Sequence, residues 1–472
     1  MATRKKPAKG AALKRNEVRG ARDEASLGIP ELPVSEGLGF DNGGETTGRF
    51  IIVFKEGAVG DASAARATLK EAAGLREVVS SADYDSGAVP AADMDENEVV
   101  HFDRLGIAVV SGSEAIQALA AAASDASSSI ELIEPEYVAQ LSSAQPAALD
   151  LSYLRGYRDA VSHLFDQISD AQGAAEGAAE ILASFQDTNQ FTWGLQATGV
   201  STSKFNGQGI NVAVLDTGLD LQHPDFIGRA IIPETFSGFP VQDVHGHGTH
   251  CVGTACGALR PASGVRRYGV ATAAQIFVGK VFNNNPKPGA DTSHVIAGIE
   301  WAIKNDCRVV SMSLGVPINQ QLKQYSTPIT RALKAGTLVV CAAGNNANRP
   351  SNTGFVEPPA NADDSMAVAA VDSRLQIARF SARSSQVTGD GGKVNIAAPG
   401  VAVFSSVPVA RGTHALFDGT SMATPHVAGI AALWAQAEGI SGTGLWKRLL
   451  TAARPLGLLS VDVGSGLVQA PQ

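Results

Sequence analysis

The spacing of apolar positions changes at three points along the chain. Residues 1–48 carry no sustained apolar run, only Gly and Pro scattered among polar residues, and read as an unstructured tail. At Arg49 the run RFIIVFK predicts a strand, and GDASAARATLKEAAGLR has the spacing of a helix. ENEVVHF and LGIAVV predict strands around a turn. SEAIQALAAAASDA predicts a second helix with Ser113 as its N-cap, and SIELIEPEYVAQ a closing strand. The order β-α-β-β-α-β over residues 49–141 predicts a small α+β, ferredoxin-like domain with two helices on one face of a sheet.

Residues 142–191 are Ala-rich. Leu154, Tyr157, Val161, Leu164 and Ile168 recur at helical spacing, so this stretch reads as a helical connector. From Thr192 to the end at residue 472 the pattern becomes strand, glycine turn, helix, repeated. GINVAVLDTG, AQIFVGKVF, CRVVSMSLG, LVVCAAGN and MAVAAVD are apolar enough to be strands buried on both faces. DTSHVIAGIEWAIKND, ITRALKAG and SMATPHVAGIAALWAQAEG are the helices. This predicts an α/β domain of three layers, α/β/α, around a mostly parallel sheet. In such sheets ligands gather at the carboxyl ends of the strands.

Composition narrows the function classes. A net charge of −9 argues against a nucleic-acid partner for the folded body. The basic residues Arg4, Lys5, Lys6, Lys9, Lys14, Arg15, Arg19 and Arg22 crowd the tail, which reads as a solvated arm with no apolar run of a secretory signal behind it. No stretch is long and apolar enough to span a bilayer. Four cysteines, Cys251, Cys256, Cys307 and Cys341, are few for 472 residues and sit in apolar context, which fits free thiols. Together these features point to synthesis in the cytoplasm, with export by a route without a cleaved leader left open.

The chemistry-bearing residues fall at predicted strand ends. Asp216 closes NVAVLD, where a carboxylate must be hydrogen-bonded to be buried; taken alone it also fits a turn cap. HGHGTH brings His245, His247 and His250 together, four residues after Asp243. Two readings stand: a zinc site, or one histidine as a general base. Ser421, in GTSMATPHVAG, sits at the start of the long helix, where the helix end favours developing negative charge and the first N–H groups lack intrahelical acceptors. A simple N-cap would look the same. Pro425 is expected to cost little so close to the helix start. Asn345 follows a strand end, where its amide could donate to an oxyanion or merely shape a turn. The order Asp, His, Ser, each at the edge of one predicted sheet, favours the catalytic reading of all four.

AVLDTGLDLQHPDF, DVHGHGTHCVGT, SMSLG, CAAGNN and GTSMATPHVAG together resemble the subtilase family of serine peptidases over residues 193–472. HGTHCVGT and YGVATAAQIFVGKV are most similar to its proteinase K branch. The resemblance implies a subtilisin-like serine endopeptidase: Asp216 orients His247, His247 is base then acid, Ser421 is the nucleophile, and Asn345 with the Ser421 N–H forms the oxyanion hole. His250 and Cys251 would be packing residues, with Cys251 near the site. It also implies that Ser313, Leu314 and Gly315 pair with an extended substrate. Ala342, Ala343 and Gly344 would wall the pocket before the cut, suited to an apolar side chain unless Glu357 favours a basic one. Residues 49–141 resemble the inhibitory propeptide of subtilases at IIVFK and IEPEYV. The connector then leaves two outcomes open: the inhibitory unit stays attached, or the cut falls within 140–192. Calcium is left open but not favoured. Asp225 matches a ligand position in part of the family, yet ALRPASGVRRYG lacks the Asn-rich loop, and Asn395 stands where relatives often have Asp. No cofactor is expected for the chemistry. The expected partners are protein or peptide substrates and the chain's own propeptide unit, with the chain a monomer, without nucleic acid or membrane.

Overall fold

The strands β6 (Asn211–Asp216), β8 (Gln275–Lys280), β10 (Val309–Met312), β12 (Leu338–Ala342) and β13 (Met366–Val371) coincide with the apolar runs expected from sequence. The computed structural model describes residues 44–59, 62–74, 78–85, 87–125, 128–141, 184–385 and 391–472. The predicted tail up to residue 43, and the predicted connector from 142 to 183, lie outside the described residues.

With β7 (Ile231–Thr235) and β14 (Ile396–Pro399), those five strands form one seven-stranded sheet in the order β14-β13-β12-β10-β6-β8-β7. Every pair in it is parallel. Strand β6 comes first in the chain yet lies inside the sheet, so the chain leaves it in both directions. Its carboxyl end is therefore a topological switch point, where crevices open. Alternate residues of each strand face opposite layers. Val212 and Val214 join the cluster containing helices α4 (His247–Cys256) and α7 (Thr420–Glu438). Ala213 and Leu215 join the cluster containing α5 (Thr292–Lys304) and α6 (Lys323–Lys334). Helix α8 (Gly442–Ala452) adds to the first layer. Helix α6 begins six residues before the predicted ITRALKAG and carries Pro328 inside it. All four cysteines are buried and unpaired. Among the described residues no helix is long and apolar enough to cross a membrane.

The N-terminal unit has β1 (Thr46–Phe54), β2 (Val79–Ser80), β3 (Val99–Phe102), β4 (Ile107–Val110) and β5 (Ile130–Leu141), with helices α1 (Ala62–Ala73), α2 (Ala91–Glu96) and α3 (Ser113–Ala123). Helix α3 starts at Ser113 rather than being capped by it. Gly112, at φ 97°, holds the cap position and contributes no side-chain bond. One sheet face, Ile52, Phe54, Val99, Ala108 and Val110, packs on Leu69, Ile116 and Leu119 of α1 and α3. The other face, Ile51, Val53, Val100, Ile107 and Val109, joins the cluster of α5 and α6. The outer half of β5 runs on past this sheet, between β9 (Gly289–Asp291) and β11 (Leu314–Gly315), antiparallel to both.

Candidate active site

Asp216 is the last residue of β6 and is buried. Its Oδ1 accepts hydrogen bonds from Thr217 N at 2.7 Å and from His247 Nδ1 at 2.8 Å. His247 is the first residue of α4, and two features seat that helix. A Cβ on Gly248 would stand 2.3 Å from Gly218 O, so bare helix backbone lies against the turn after β6. The buried Asp243 carboxylate accepts from the Thr217 hydroxyl (2.9 Å), the N–H groups of His245 (2.9 Å), Gly246 (2.8 Å) and Thr249 (2.9 Å), and the Thr249 hydroxyl (2.7 Å). The sequence reading noted only Asp243's distance from His247. The available signal was an acid just ahead of a helix start, where unmet N–H groups collect.

Burial pushes the His247 imidazole down, but the Asp216 carboxylate, with Cys251, reverses this and holds it well above the ordinary histidine range. The Nδ1–H bond to Asp216 leaves the lone pair on Nε2, which no described residue hydrogen-bonds. His250 donates from Nε2 to Val403 O at 3.0 Å and stacks on Phe417. Burial, then the charge of His247, pushes it down to about 3, as befits a neutral packing residue. Cys251 Sγ lies 3.8 Å from His247 Nδ1 and 3.5 Å from Ser421 O, and burial pushes the thiol up to about 11. Among the described residues, two trios of metal-type ligands converge: Asp216, His247 and Cys251, and His223, Asp225 and His414. His245 belongs to neither, so a zinc ion on His245 and His247 lacks a third ligand there.

Ser421 is the second residue of α7, and its Oγ lies 3.5 Å from Ser313 O. Pro425 departs from expectation. It is the sixth helical residue, so it removes the N–H that would bond Ser421 O. The Ser313 hydroxyl (2.9 Å) and the Cys251 thiol (3.5 Å) donate to that carbonyl instead. The residue bearing the hydroxyl is thereby pinned from two neighbouring elements. Asn345 Oδ1 accepts from Thr420 N at 2.9 Å and Thr420 Oγ1 at 3.0 Å. That fixes the amide, with Nδ2 on the Gly419 side, beside the helix start.

Of the other expected residues, Leu314 and Gly315 form β11 and pair with Leu141 and Gln140 of β5. The strand thought to receive a substrate thus holds the chain's own N-terminal unit. Its opposite flank, β9, pairs with Val138–Gln140 and escaped the sequence reading. Its signal was Gly289, where a Cβ would meet Val138 Cγ1 at 2.7 Å. Ala342 ends β12, and Ala343 and Gly344 follow it, buried.

Residues 207–464 match the family model described as the subtilase family. The chain belongs to the subtilase family. Among its relatives, Subtilisin E of Bacillus subtilis (strain 168) is 38% identical over 242 residues, covering 51% of this chain and 58% of that protein. Subtilisin Savinase of Lederbergia lenta is 37% identical over 285 residues, covering 59% of this chain and 96% of that one. The solved structure of the S41 Psychrophilic Protease matches with a TM-score of 0.51 at 30% identity, covering 60% of this chain and all of that one. The subtilisin-like α/β fold with its mostly parallel sheet accords with these matches.

The two positions weighed for calcium are both hydrogen-bonded within the protein. Asp225 accepts from Ser263 N (2.9 Å), Ser263 Oγ (3.0 Å), Tyr268 OH (2.7 Å) and His414 Nε2 (3.0 Å). These are donors aimed at the carboxylate, whereas calcium needs oxygen lone pairs aimed at itself. Asn395 Oδ1 accepts from Ala367 N at 2.7 Å, so it too is occupied.

Proposed function

We propose that the protein is a serine endopeptidase working through Asp216, His247 and Ser421, made as a zymogen whose residues 46–141 inhibit it. The single observation that carries the peptidase reading is the buried 2.8 Å hydrogen bond from His247 Nδ1 to Asp216. It fixes the tautomer with its lone pair on Nε2 and stabilises the imidazolium that forms later. Ser421 Oγ then attacks the peptide carbonyl as its proton passes to His247 Nε2. Asn345 Nδ2 and the Ser421 N–H donate to the oxyanion. The imidazolium protonates the departing amine, and water cleaves the acyl-enzyme by the same steps in reverse. Such bonds are loose in the resting state and tighten with substrate. Cys251, in HGTHCVGT, supports placing the enzyme in the proteinase K branch.

The inhibitory role is supported by β5. It uses the backbone pairing with β9 and β11 that an extended substrate would use. Glu136 reinforces the docking. It accepts from Ser293 N at 2.7 Å and pairs with Arg49, which reaches Asp291. Glu134 accepts from Gln324 N at 2.8 Å. Each carboxylate thus meets the positive end of α5 or α6.

A fluorophosphonate probe on the full chain, before and after limited proteolysis releases residues 46–141, tests the reading. Labelling at Ser421, lost in Ser421→Ala together with peptide turnover, is expected. An unlabelled protein that still cuts peptides and stops with a chelator would replace it with a metal hydrolase. A protein that neither labels nor cuts once residues 46–141 have been released would make it a binding module.

A further inference from the structure

The loop after Asn345 brings a carboxyl group to the wall of the cleft, and the catalytic steps do not use it. Glu357 N donates to Ala343 O at 3.1 Å, and Pro358 O accepts from Val316 N at 2.8 Å. The loop therefore spans the gap between the end of β12 and the end of β11, the two segments that on the peptidase reading would flank a substrate residue joined to Ser421. Across that gap the Glu357 side chain packs on Gly344, where a Cβ would stand 3.1 Å from its Cδ. Glu357 is only 7% exposed. Its Oε1 accepts from Asn346 Nδ2 at 2.7 Å, and Asn346 is itself clamped to Phe355 by two bonds. Among the described residues, no lysine, arginine or histidine is hydrogen-bonded or ion-paired to it.

We propose that Glu357 forms the floor of the pocket for the residue on the acyl side of the cut, and that it selects lysine or arginine there. This rests on the peptidase reading. The small apolar wall of Ala342, Ala343 and Gly344 suggested an apolar occupant. It instead leaves room for a long aliphatic stem whose charged end reaches the carboxylate. A buried carboxylate without a counter-charge is costly, and a cationic substrate supplies one. Burial, opposed by the Asn346 bond, pushes the Glu357 carboxyl up to about 7. Below that pH the empty pocket is neutral, and above it anionic. An entering cation displaces the proton, so preference for the cation is weak at acid pH and grows as pH rises through about 7.

The test uses the full chain after limited proteolysis has released residues 46–141, normalised by fluorophosphonate titration, on peptide anilides differing only in the residue before the cut: Lys, Arg, Gln, Phe or Leu. At pH 8, kcat/KM for Lys and Arg is expected to exceed that for Phe by about tenfold or more. The Lys/Phe ratio is expected to rise by about tenfold from pH 6 to 8. That ratio cancels the titration of His247, which acts on every substrate alike. Glu357→Gln is expected to lower the Lys rate on the order of 10²-fold, mainly through KM, and to flatten the pH dependence of the ratio. Labelling with a Phe or Leu preference and a pH-independent ratio would overturn the inference and leave the peptidase reading standing. Wild-type protein that neither labels nor cuts after residues 46–141 have been released would overturn both. If Glu357→Gln fails to fold, the wild-type ratio against pH decides alone.

Discussion

The parallel sheet is covered on both faces by helices of its own domain, with α4 and α7 on one side and α5 and α6 on the other. The sheet of residues 46–141 covers one face with α1 and α3 and borrows α5 and α6 for the other. Buried carboxylates follow the same division. Asp216 and Asp243 take their hydrogen bonds from within the catalytic domain, from the turn after β6 and from α4. Glu134 and Glu300 take their bonds from across the junction between the two units, and Glu136 divides its bonds between Ser293 across it and Thr47 and Arg49 in its own unit. The proposed catalytic site is thus built within one domain, whereas one face of the N-terminal sheet packs on the surface it occupies.

The largest expected effect lies wholly inside the catalytic domain. Asp216→Asn keeps the shape but favours the wrong imidazole tautomer, and kcat should fall by about 10⁴-fold in steady-state assays. Because the substitution leaves the junction intact, the resistance of residues 46–141 to proteolytic trimming should not change. A matching loss of docking would break the division drawn between the two units. Asn345→Ala comes next. A drop in kcat of about 10²–10³-fold is the known cost of removing such a donor from a subtilisin, with KM little altered. A change in KM alone would remove Asn345 from the oxyanion site.

The proposed catalytic residues could be picked out as candidates because each sits in a short motif at a strand or helix end: Asp216 after an apolar run, His247 and Ser421 at helix starts. The remainder is non-local or short. Strand β7 has two exposed positions because it is an edge strand, so IIPET shows no buried run. Strand β14 hides in IAAP, and β2 is two residues long. Pro425 was placed correctly in the helix, but its consequence depends on Ser313 and Cys251, which reach Ser421 O from other elements. The junction carboxylates looked like ordinary polar positions, since their partners lie about a hundred residues or more away in sequence.

Of smaller expected effect is the response of the stability of the catalytic domain to chelators. Asp225 is held by Ser263, Tyr268 and His414, so excess EDTA should leave the melting temperature of the Ser421→Ala full chain unchanged, as read by calorimetry. Asp225→Ala should lower it, because four donors lose their acceptor. A fall with EDTA that calcium reverses would show that a cation site exists elsewhere in the chain.

The finest probe is the junction itself, where the change is gradual. Glu300 on α5 accepts from Ser81 Oγ at 2.7 Å and from Arg104 N at 3.1 Å, both in the N-terminal unit. Burial pushes its carboxyl up to about 7 from the usual 4.5, the Ser81 and Arg104 bonds oppose this, and nearby Asp103 adds to the rise. Because the docked value is raised, docking takes up a proton. Its contribution is complete below about pH 4.5 and is lost as pH rises through 7. The hold on the N-terminal unit should therefore weaken by on the order of 10²-fold across that window, at no more than one decade per pH unit. Hydrogen-exchange protection factors of residues 99–110 in the Ser421→Ala chain measure it, corrected for intrinsic exchange. Glu300→Gln mimics the protonated acid and should make the profile flat, with wild-type protection at low pH retained to pH 8. Protection that falls equally in both chains would assign the pH response to another group. In that case the dependence of the N-terminal unit on α5 would be one of packing, without a charge to release it.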